Sequence, residues 1–379
     1  MKKLAIVTTH PIQYYAPVFR LLAAQLELKV FYTAGKSHAG YDHGFRQHVE
    51  WDLPLLEDYN FEFVANTAKD PGSHHFNGVT GKDVIRAITH FHPDAVLVYG
   101  WAYQAHLGVL RHFKNKLPIF FRGDSTLTDR SPFWRSVLRS LLLKWVYTHV
   151  DHAFYVGSHN KRYFQKYGLK MTQLSFAPHA VENDRFAEQK AAEAAELRKS
   201  LGIPPTDILV LFAGKLEPKK NPMALIDAFT QLNQNGVQLL FVGGGILEEE
   251  LKNKVIELAA DKIHFLPFQN QQQMPVIYQA CDLFCLPSIG PGETWGLAIN
   301  EAMAAGKAIL ASHVTGAAVD LVDDTNGKIF NVNKPADLGN KLAELTANKQ
   351  LLKKMGDASA IKIKNWNFET QVKAIIAHV

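Results

Sequence analysis

The residues from Leu283 to Gly306 change character twice, and that change limits what the chain can fold into. Leu283-Phe284-Cys285-Leu286 is a short apolar run and reads as a buried strand. Pro287, Gly290, Pro291 and Gly292 follow closely, which no strand or helix interior tolerates. A helical pattern then runs from about Leu297 to Ala305, with Gly306 placed as its C-cap. Strand, glycine-rich loop and helix in this order belong to an α/β sheet. The loop carries Glu293, and Glu301 stands about one turn into the helix. Free backbone N–H groups at a helix start beside a carboxylate suit an anionic or hydroxyl-rich ligand.

The same alternation runs through the chain. Lys3–Val7 is a strand, the apolar residues Tyr15, Val18, Phe19 and Leu22 fall at helical spacing, and Leu28–Tyr32 is the next strand. This unit predicts a right-handed parallel crossover. Its loop, with His10, Gln13 and Tyr14, then lies at the carboxyl edge of a sheet, where open α/β folds bind ligands. Two further strands, 94–99 and 117–121, end in Tyr99-Gly100-Trp101 and Arg122-Gly123-Asp124. Three strand ends at one edge make a candidate site of His10, Gln13, Tyr14, Trp101, Arg122 and Asp124. Residues Gly35–Gly78 read as irregular, long for a connection and so functional or ordered by packing. His74-His75 stands there, and adjacent histidines point apart on most backbones, so no metal is expected. Phe133–Tyr147 is an amphipathic basic helix, read as core-packing, with contact to an anionic membrane surface as the alternative.

From Glu182 to Lys199 the chain turns charged and alanine-rich, which places a domain boundary there. Residues 1–185 form the first expected domain, with 362–379 packing back on it, and 200–361 form the second. Strands at 207–213, 238–242, 263–265, 283–286, 308–311 and 327–330 give the second domain the same α/β character.

Composition narrows the function. A net charge of +5 is too weak and dispersed for nucleic acid, and fits an anionic substrate. Cys281 and Cys285 read as buried hydrophobes, and no signal peptide or membrane span is legible, so a cytoplasmic protein is expected, with its membrane face as an open possibility. The run Gly243-Gly244-Gly245 lacks the third glycine of a dinucleotide fingerprint, since Glu248 stands in its place, and reads as a tight strand-to-helix turn. No P-loop motif is present. Lys215 and Lys220 lie on the loop after the second domain's first strand, at the same edge as Glu293. Two ammonium groups beside a helix N-terminus can neutralise a diphosphate without a metal. Lys219 reads as a solvated charge.

Gly214-Lys215-Leu216 with Lys220, Glu293-Thr294-Trp295-Gly296-Leu297 and Glu301-Ala302-Met303-Ala304 together resemble the C-terminal half of family 4 retaining glycosyltransferases. The segment Pro178-His179-Ala180-Val181-Glu182 is similar to that family's lead into its second domain. The resemblance implies a GT-B fold: two Rossmann-like domains facing across a cleft, acceptor in the first and donor in the second. It implies that Glu301 binds ribose hydroxyls and that Lys215 and Lys220 hold the diphosphate. Glu293 and the backbone N–H groups of Trp295, Gly296 and Leu297 would hold the donor sugar. Lys215 replaces the family's usual arginine, Trp295 its common phenylalanine, and Thr8-Thr9-His10-Pro11 lacks the glycine pair of many members.

The expected activity is transfer of a sugar from a nucleoside diphosphate sugar, most commonly UDP-linked, to a hydroxyl of a glycan or lipid-linked acceptor. Anomeric configuration would be retained, with no cofactor and no metal, and polysaccharide biosynthesis is the expected setting. Glu293 is placed in the catalytic site as a grip on the donor sugar, and Asp124 or His10 is expected to orient the acceptor. Peripheral membrane contact is an open possibility. The competing classes are a sugar-nucleotide binding protein without transferase activity and a nicotinamide dehydrogenase, the latter weakened by Glu248.

Overall fold

A computed structural model describes residues 1–36, 41–42, 47–48, 50–72, 74–127, 133–232, 234–290 and 292–379, with backbone alone at 41, 42, 47, 48 and 133. His43-Gly44 of the irregular segment, Ser73 before the paired histidines and Pro291 of the glycine-rich loop lie outside the described residues.

Two compact units divide the chain. The first comprises Met1–Tyr41, Leu53–His179 and Phe368–Val379. In chain order its elements are β1 (Lys3–Thr8), α1 (Ala16–Ala23) and β2 (Glu27–Tyr32). The two-residue strands β3 (Tyr41–Asp42) and β4 (Gln47–His48) follow and pair with each other, β4 lying in a segment that belongs to the second unit. Then come β5 (Asn60–Phe63), α2 (Asp83–Phe91), β6 (Ala95–Tyr99), α3 (Gln104–Phe113), β7 (Ile119–Arg122), α4 (Phe133–Tyr147), β8 (His152–Tyr155), α5 (Ser158–Lys166) and β9 (Leu174–Phe176). The sheet runs β5-β2-β1-β6-β7-β8-β9, and its pairings are parallel. Helices cover both faces of such a sheet, so β1 and β6 are apolar almost end to end. Their core includes Val7, Phe31, Val98, Phe121 and Phe164.

The second unit comprises Asp42–Asp52 and Ala180–Asn367. It holds α6 (Asn183–Ala187), α7 (Ala191–Ser200), β10 (Ile208–Ala213), α8 (Pro222–Leu232), β11 (Val237–Val242), α9 (Glu248–Glu257), β12 (Ile263–Leu266), α10 (Met274–Ala280) and β13 (Leu283–Leu286). After these come α11 (Leu297–Ala304), β14 (Ala308–Ser312), α12 (Gly316–Leu321), β15 (Gly327–Phe330), α13 (Asp337–Thr346) and α14 (Lys349–Ile363). The final helix, α15 (Phe368–Ile376), belongs to the first unit, where it packs on α1. The second sheet runs β12-β11-β10-β13-β14-β15, again parallel.

In each sheet the strand order reverses once, between β1 and β6 in the first unit and between β10 and β13 in the second. Helices diverge from these points to opposite faces, which leaves a crevice at the carboxyl ends of the two strands. Each unit therefore has one topological switch point.

The chain divides between His179 and Ala180, ahead of the charged stretch expected to mark the boundary. The reason is packing: α6 and α7 lie on α10 and α11 of the second unit. Arg185 Nη2 donates to Gln271 Oε1 at 3.0 Å, and Arg198 pairs with Asp282 at 3.1 Å. The closing segment begins at Phe368 rather than 362, because α14 packs on α11 and β14.

Within Gly35–Gly78, read as irregular, β5 pairs with β2 from Lys29–Asn60 to Tyr32–Phe63. Residues 50–52 are tied to 270–272 of the second unit, Asn270 Nδ2 donating to Glu50 O at 2.6 Å and Gln272 N to Asp52 Oδ2 at 3.0 Å. Helix α4 departs further from expectation. Leu143, Val146 and Tyr147 are buried, whereas Trp134, Val137, Leu138, Leu141, Leu142 and Trp145 face solvent. Only its inner stripe packs on the core.

Candidate active site

The second unit's switch point is built from two loops. From the end of β10 the chain enters Gly214, Lys215 and Leu216, a loop seated on the turn after β11. Leu216 N donates to Gly244 O at 2.9 Å, and Leu247 N donates to Leu216 O at 2.9 Å. A Cβ on Gly243 would overlap Gly214 O, and one on Gly245 would overlap the Leu216 backbone. The glycine run is thus the tight turn its sequence predicted, and it sets the height of the lysine loop.

The second loop follows β13. Ile289 N donates to Lys219 O at 2.9 Å and ties the two loops together. Lys220 pairs with the buried carboxylate of Glu293, whose Oε2 also accepts from Ser288 Oγ at 3.0 Å. A charge at this depth is retained only when paired and hydrogen-bonded. Lys215 is half-buried on the same loop. Lys219, expected to be a solvated charge, is partly buried and pairs with Glu217 at 3.2 Å.

Gly296 begins α11 with φ +95°, a left-handed conformation that a side chain resists. A Cβ there would also stand 2.9 Å from Thr315 Cγ2 and 3.0 Å from Leu286 Cδ2. Leu297 and Ala298 supply the first amides of the helix, whose aligned N–H groups make its start electropositive. Gly306 N bonds to Met303 O and Lys307 N to Ala302 O, both at 3.0 Å, a Schellman closure at the predicted C-cap. Glu301 points inward from the second turn, nearly fully buried, and accepts from Tyr278 OH at 2.7 Å. Trp295 has its indole buried: Nε1 donates to Asn300 Oδ1 at 2.9 Å, and the ring stacks on Trp366 at 5.1 Å. Its backbone is what it can offer a ligand.

The first unit's switch point is different in kind. A cavity of about 180 Å³ is lined by Thr9, Tyr15, Tyr99, Arg122, Asp124 and His179, among others. Its floor is braced by His106, fully buried, whose Nδ1 lies 3.1 Å from Tyr99 O and 3.0 Å from Gly100 O, and whose Nε2 lies 2.8 Å from Thr33 Oγ1. Burial pushes its imidazole down to about 4, so it is neutral at physiological pH. Arg122, buried, donates to Ala177 O at 2.7 Å and Pro178 O at 3.1 Å. Burial lowers its pKa, and its guanidinium lies over the Tyr99 ring at 6.0 Å. Its donors clamp the turn that presents His179, whose Nε2 is 3.8 Å from Asp124 Oδ2. Burial lowers the His179 pKa against the pull of Asp124. Burial, then the Asp124 charge, hold the Tyr15 phenol well above its usual range.

Of the residues predicted here, Asp124 and Arg122 line this cavity. His10, with Nδ1 2.9 Å from Thr9 Oγ1, stands beside it, with Gln13 and Tyr14 half-buried in the turn before α1. Trp101 packs against the first unit's core, so its ring serves the fold. Sequence reasoning passed over His179, Tyr15, Tyr278 and Ser288. Only His179 carried a signal, as part of the quoted Pro178–Glu182 segment.

Cys281 and Cys285 are buried free thiols, pushed up by burial, to about 12 for Cys281. His74 and His75 do not point apart: their rings are 4.6 Å from each other, and both face Asp70, with ligand atoms within 4.8 Å. The group is at the surface, and none of its residues lines the first unit's cavity. A groove of about 620 Å³ between α8 and α13 holds Asp227 and Lys334 but no comparable cluster.

Comparison with known proteins follows the same division. Residues 193–361 match the family model for glycosyl transferases group 1. The D-inositol 3-phosphate glycosyltransferase of Nocardia farcinica is 29% identical over 203 residues, 50% of this chain and 43% of that protein. The corresponding protein of Segniliparus rotundus is 28% identical over 220 residues, 56% of this chain and 48% of that one. The chain spans about half the length of the curated relatives it matches. In three dimensions, HepE of Anabaena, crystallised with UDP and glucose, aligns over 100% of this chain and 99% of its own, with a TM-score of 0.75 and 19% identity. Sucrose-phosphate synthase of Thermosynechococcus elongatus aligns over 100% and 98%, with a TM-score of 0.75 and 16% identity. At such identity the likeness establishes the fold. The chain has the GT-B fold, and its residues 193–361 match the family model for group 1 glycosyl transferases.

Proposed function

We propose that this chain transfers a sugar from a nucleoside diphosphate sugar, with UDP as the carrier, to a hydroxyl of a glycan or lipid-linked acceptor, with retention and without a metal ion or cofactor. The observation that carries the reading is the Lys220–Glu293 pair beside Lys215 at the N-terminus of α11, with Glu301 one turn further on. This arrangement lies at the second unit's switch point, inside the segment the family model matches. UDP is favoured because HepE of Anabaena is crystallised with UDP and with UDP-glucose.

Lys215, Lys220 and the first amides of α11 neutralise the diphosphate. Glu301, oriented by Tyr278, takes the ribose hydroxyls. Glu293 and the backbone of Trp295, Gly296 and Leu297 take hydroxyls of the donor sugar. When the diphosphate arrives, it competes with Glu293 for the Lys220 ammonium, which frees one carboxylate oxygen for the sugar. The anomeric carbon–oxygen bond to the diphosphate breaks, the acceptor oxygen bonds to that carbon on the same face, and the acceptor proton passes to the departing phosphate oxygen. Stabilising the charge that develops on the diphosphate contributes on the order of 3 kcal/mol to lowering the barrier. The first unit's cavity, with Asp124, His10 and His179, is assigned the acceptor hydroxyl. Gln13, Tyr14 and Arg122 are assigned its surroundings.

The test is a thermal-shift and calorimetric screen of nucleoside diphosphates, followed by measurement of UDP release from UDP-sugars with and without hydroxyl acceptors. A ligand at 100 times its dissociation constant stabilises by about 2.7 kcal/mol. UDP is expected to raise the melting temperature of the native chain and not of Lys215→Ala/Lys220→Ala. No response to any nucleoside diphosphate would overturn the reading, and binding without release of UDP would leave a sugar-nucleotide binding protein.

A further inference from the structure

Helix α4 exposes an apolar stripe unusual for a soluble surface. Trp134 is 59% exposed, Leu138 and Leu141 61% each, and Trp145 42%, with Val137 and Leu142 between them. These positions repeat at three- and four-residue spacing, so they form one face along the helix. The opposite face, Leu143, Val146 and Tyr147, is buried in the first unit's core. The helix is therefore anchored by one side and apolar on the other. Contiguous exposed apolar surface of this kind marks an interaction site.

Its charges say what covers it. From Phe133 to Val150 the sequence holds Arg135, Arg139 and Lys144 and no Asp or Glu. The Arg135 guanidinium lies over Trp134 at 5.0 Å, and that of Arg111, from α3, over Trp145 at 5.6 Å. Each end of the stripe thus carries an indole with a cation upon it, the pairing suited to the boundary between headgroups and acyl chains. At 15 residues, α4 is about 22 Å long, too short for a hydrocarbon core of about 30 Å. Among the described residues no helix is long and apolar enough to cross a membrane. A second copy of the chain is a poor occupant, because two such faces would bring cations together with no carboxylate on either helix to meet them.

We propose that the outer face of α4 docks this chain on an anionic lipid surface. The helix lies in the plane of the headgroups, Leu138 and Leu141 enter the acyl boundary, and Arg135, Lys144 and Arg111 meet lipid phosphates. This docking does not depend on the transferase reading.

Vesicle flotation of the full chain tests it, with neutral phosphatidylcholine vesicles and with vesicles containing about a third phosphatidylglycerol. The native protein floats with the anionic vesicles and much less with the neutral ones. Leu138→Glu/Leu141→Glu lowers recovery about 10-fold or more, since burial of the apolar face is lost. Arg135→Glu/Lys144→Glu lowers it by a similar factor on anionic vesicles only, and salt mimics that loss. All four side chains are surface positions, and unchanged thermal melting of the variants confirms that they fold. The proposal is overturned if the native chain fails to float with anionic vesicles, if it floats equally with neutral ones, or if the leucine variant floats as well as the native chain. It is also overturned if sedimentation shows a native dimer that the leucine variant dissolves while neither floats, for the face then belongs to a second copy.

Discussion

The two units place the same topology around opposite kinds of chemistry. Both sheets reverse between their first and fourth consecutive core strands, so both open a crevice at the same structural point. In the first unit that crevice is lined by Tyr15, Tyr99, a depressed His179 and a single half-exposed carboxylate, Asp124. In the second it holds two lysines and two buried glutamates around a helix start. The fold supplies the place and the loops supply the chemistry. An aromatic crevice holding one guanidinium and one carboxylate, Arg122 and Asp124, suits a hydroxyl that must be oriented, and a lysine-rich helix start suits a diphosphate that must be neutralised.

The sharpest way to break this division is Asp124→Asn. Turnover, followed by UDP release, should fall about 100-fold, the size of a lost acid–base or orienting group, while calorimetric affinity for UDP stays unchanged. Equal loss of both would merge the roles of the two crevices.

The neutrality of His106, beneath the first crevice, is tested by pH. His106 has its pKa lowered to about 4 by burial, against an ordinary value of 6.5. Between pH 6.5 and 4 the unfolded chain takes up a proton that the folded chain refuses. Stability is therefore full above pH 6.5, falls as the pH drops, and the loss is complete below about 4. The difference amounts to about 3 kcal/mol. His152, stacked on His378 at 3.6 Å and also lowered to about 4, acts in the same direction. Urea midpoints between pH 7 and 4.5 should show this slope, and His106→Asn should flatten it.

On the ionic side, Glu301→Ala should weaken UDP about 30-fold, near 2 kcal/mol for hydrogen bonds to a charged group. Glu293→Ala should chiefly lower turnover and donor-sugar discrimination, and similar affinity losses in both would remove the distinction between a ribose grip and a sugar grip. Gly296→Ala forces a left-handed alanine into contact with Thr315 and Leu286. A loss of about 1–2 kcal/mol in chemical denaturation is expected. The smallest effect belongs to Lys219→Ala, which removes a partly exposed pair with Glu217 and should cost under about 1 kcal/mol with no change in UDP binding.

What the sequence made legible follows from burial. Parallel strands covered on both faces are apolar runs, so β1, β6, β10, β13 and β14 could be read directly. The edge strand β5 could not, since Asn60–Phe63 is short and half-exposed. Helix α14 went unread because Gly356 interrupts a pattern in which polar and apolar residues are equally frequent, and only Asn348, which caps Gln350 and Leu351, marks its start. In α4 leucines occupy both faces, so periodicity could not say which side meets the core. At the site, single loops were legible and meetings between them were not. Lys220 and Glu293 are distant in sequence, as are Tyr278 and Glu301, and Asp124 and His179. Each pair exists only once the sheet has closed.

Helix α15 sets a schedule for synthesis. It packs on α1, and His378 lies 2.9 Å from Ser175 in the first unit, yet these residues leave the ribosome only after the whole of 180–367. The first unit's earlier segments must wait for the whole of 180–367 before α15 arrives, roughly 10–40 s at ordinary elongation rates. In that interval the surface of α1 that α15 will cover is bare, and the nascent chain depends on holding it clear of other chains.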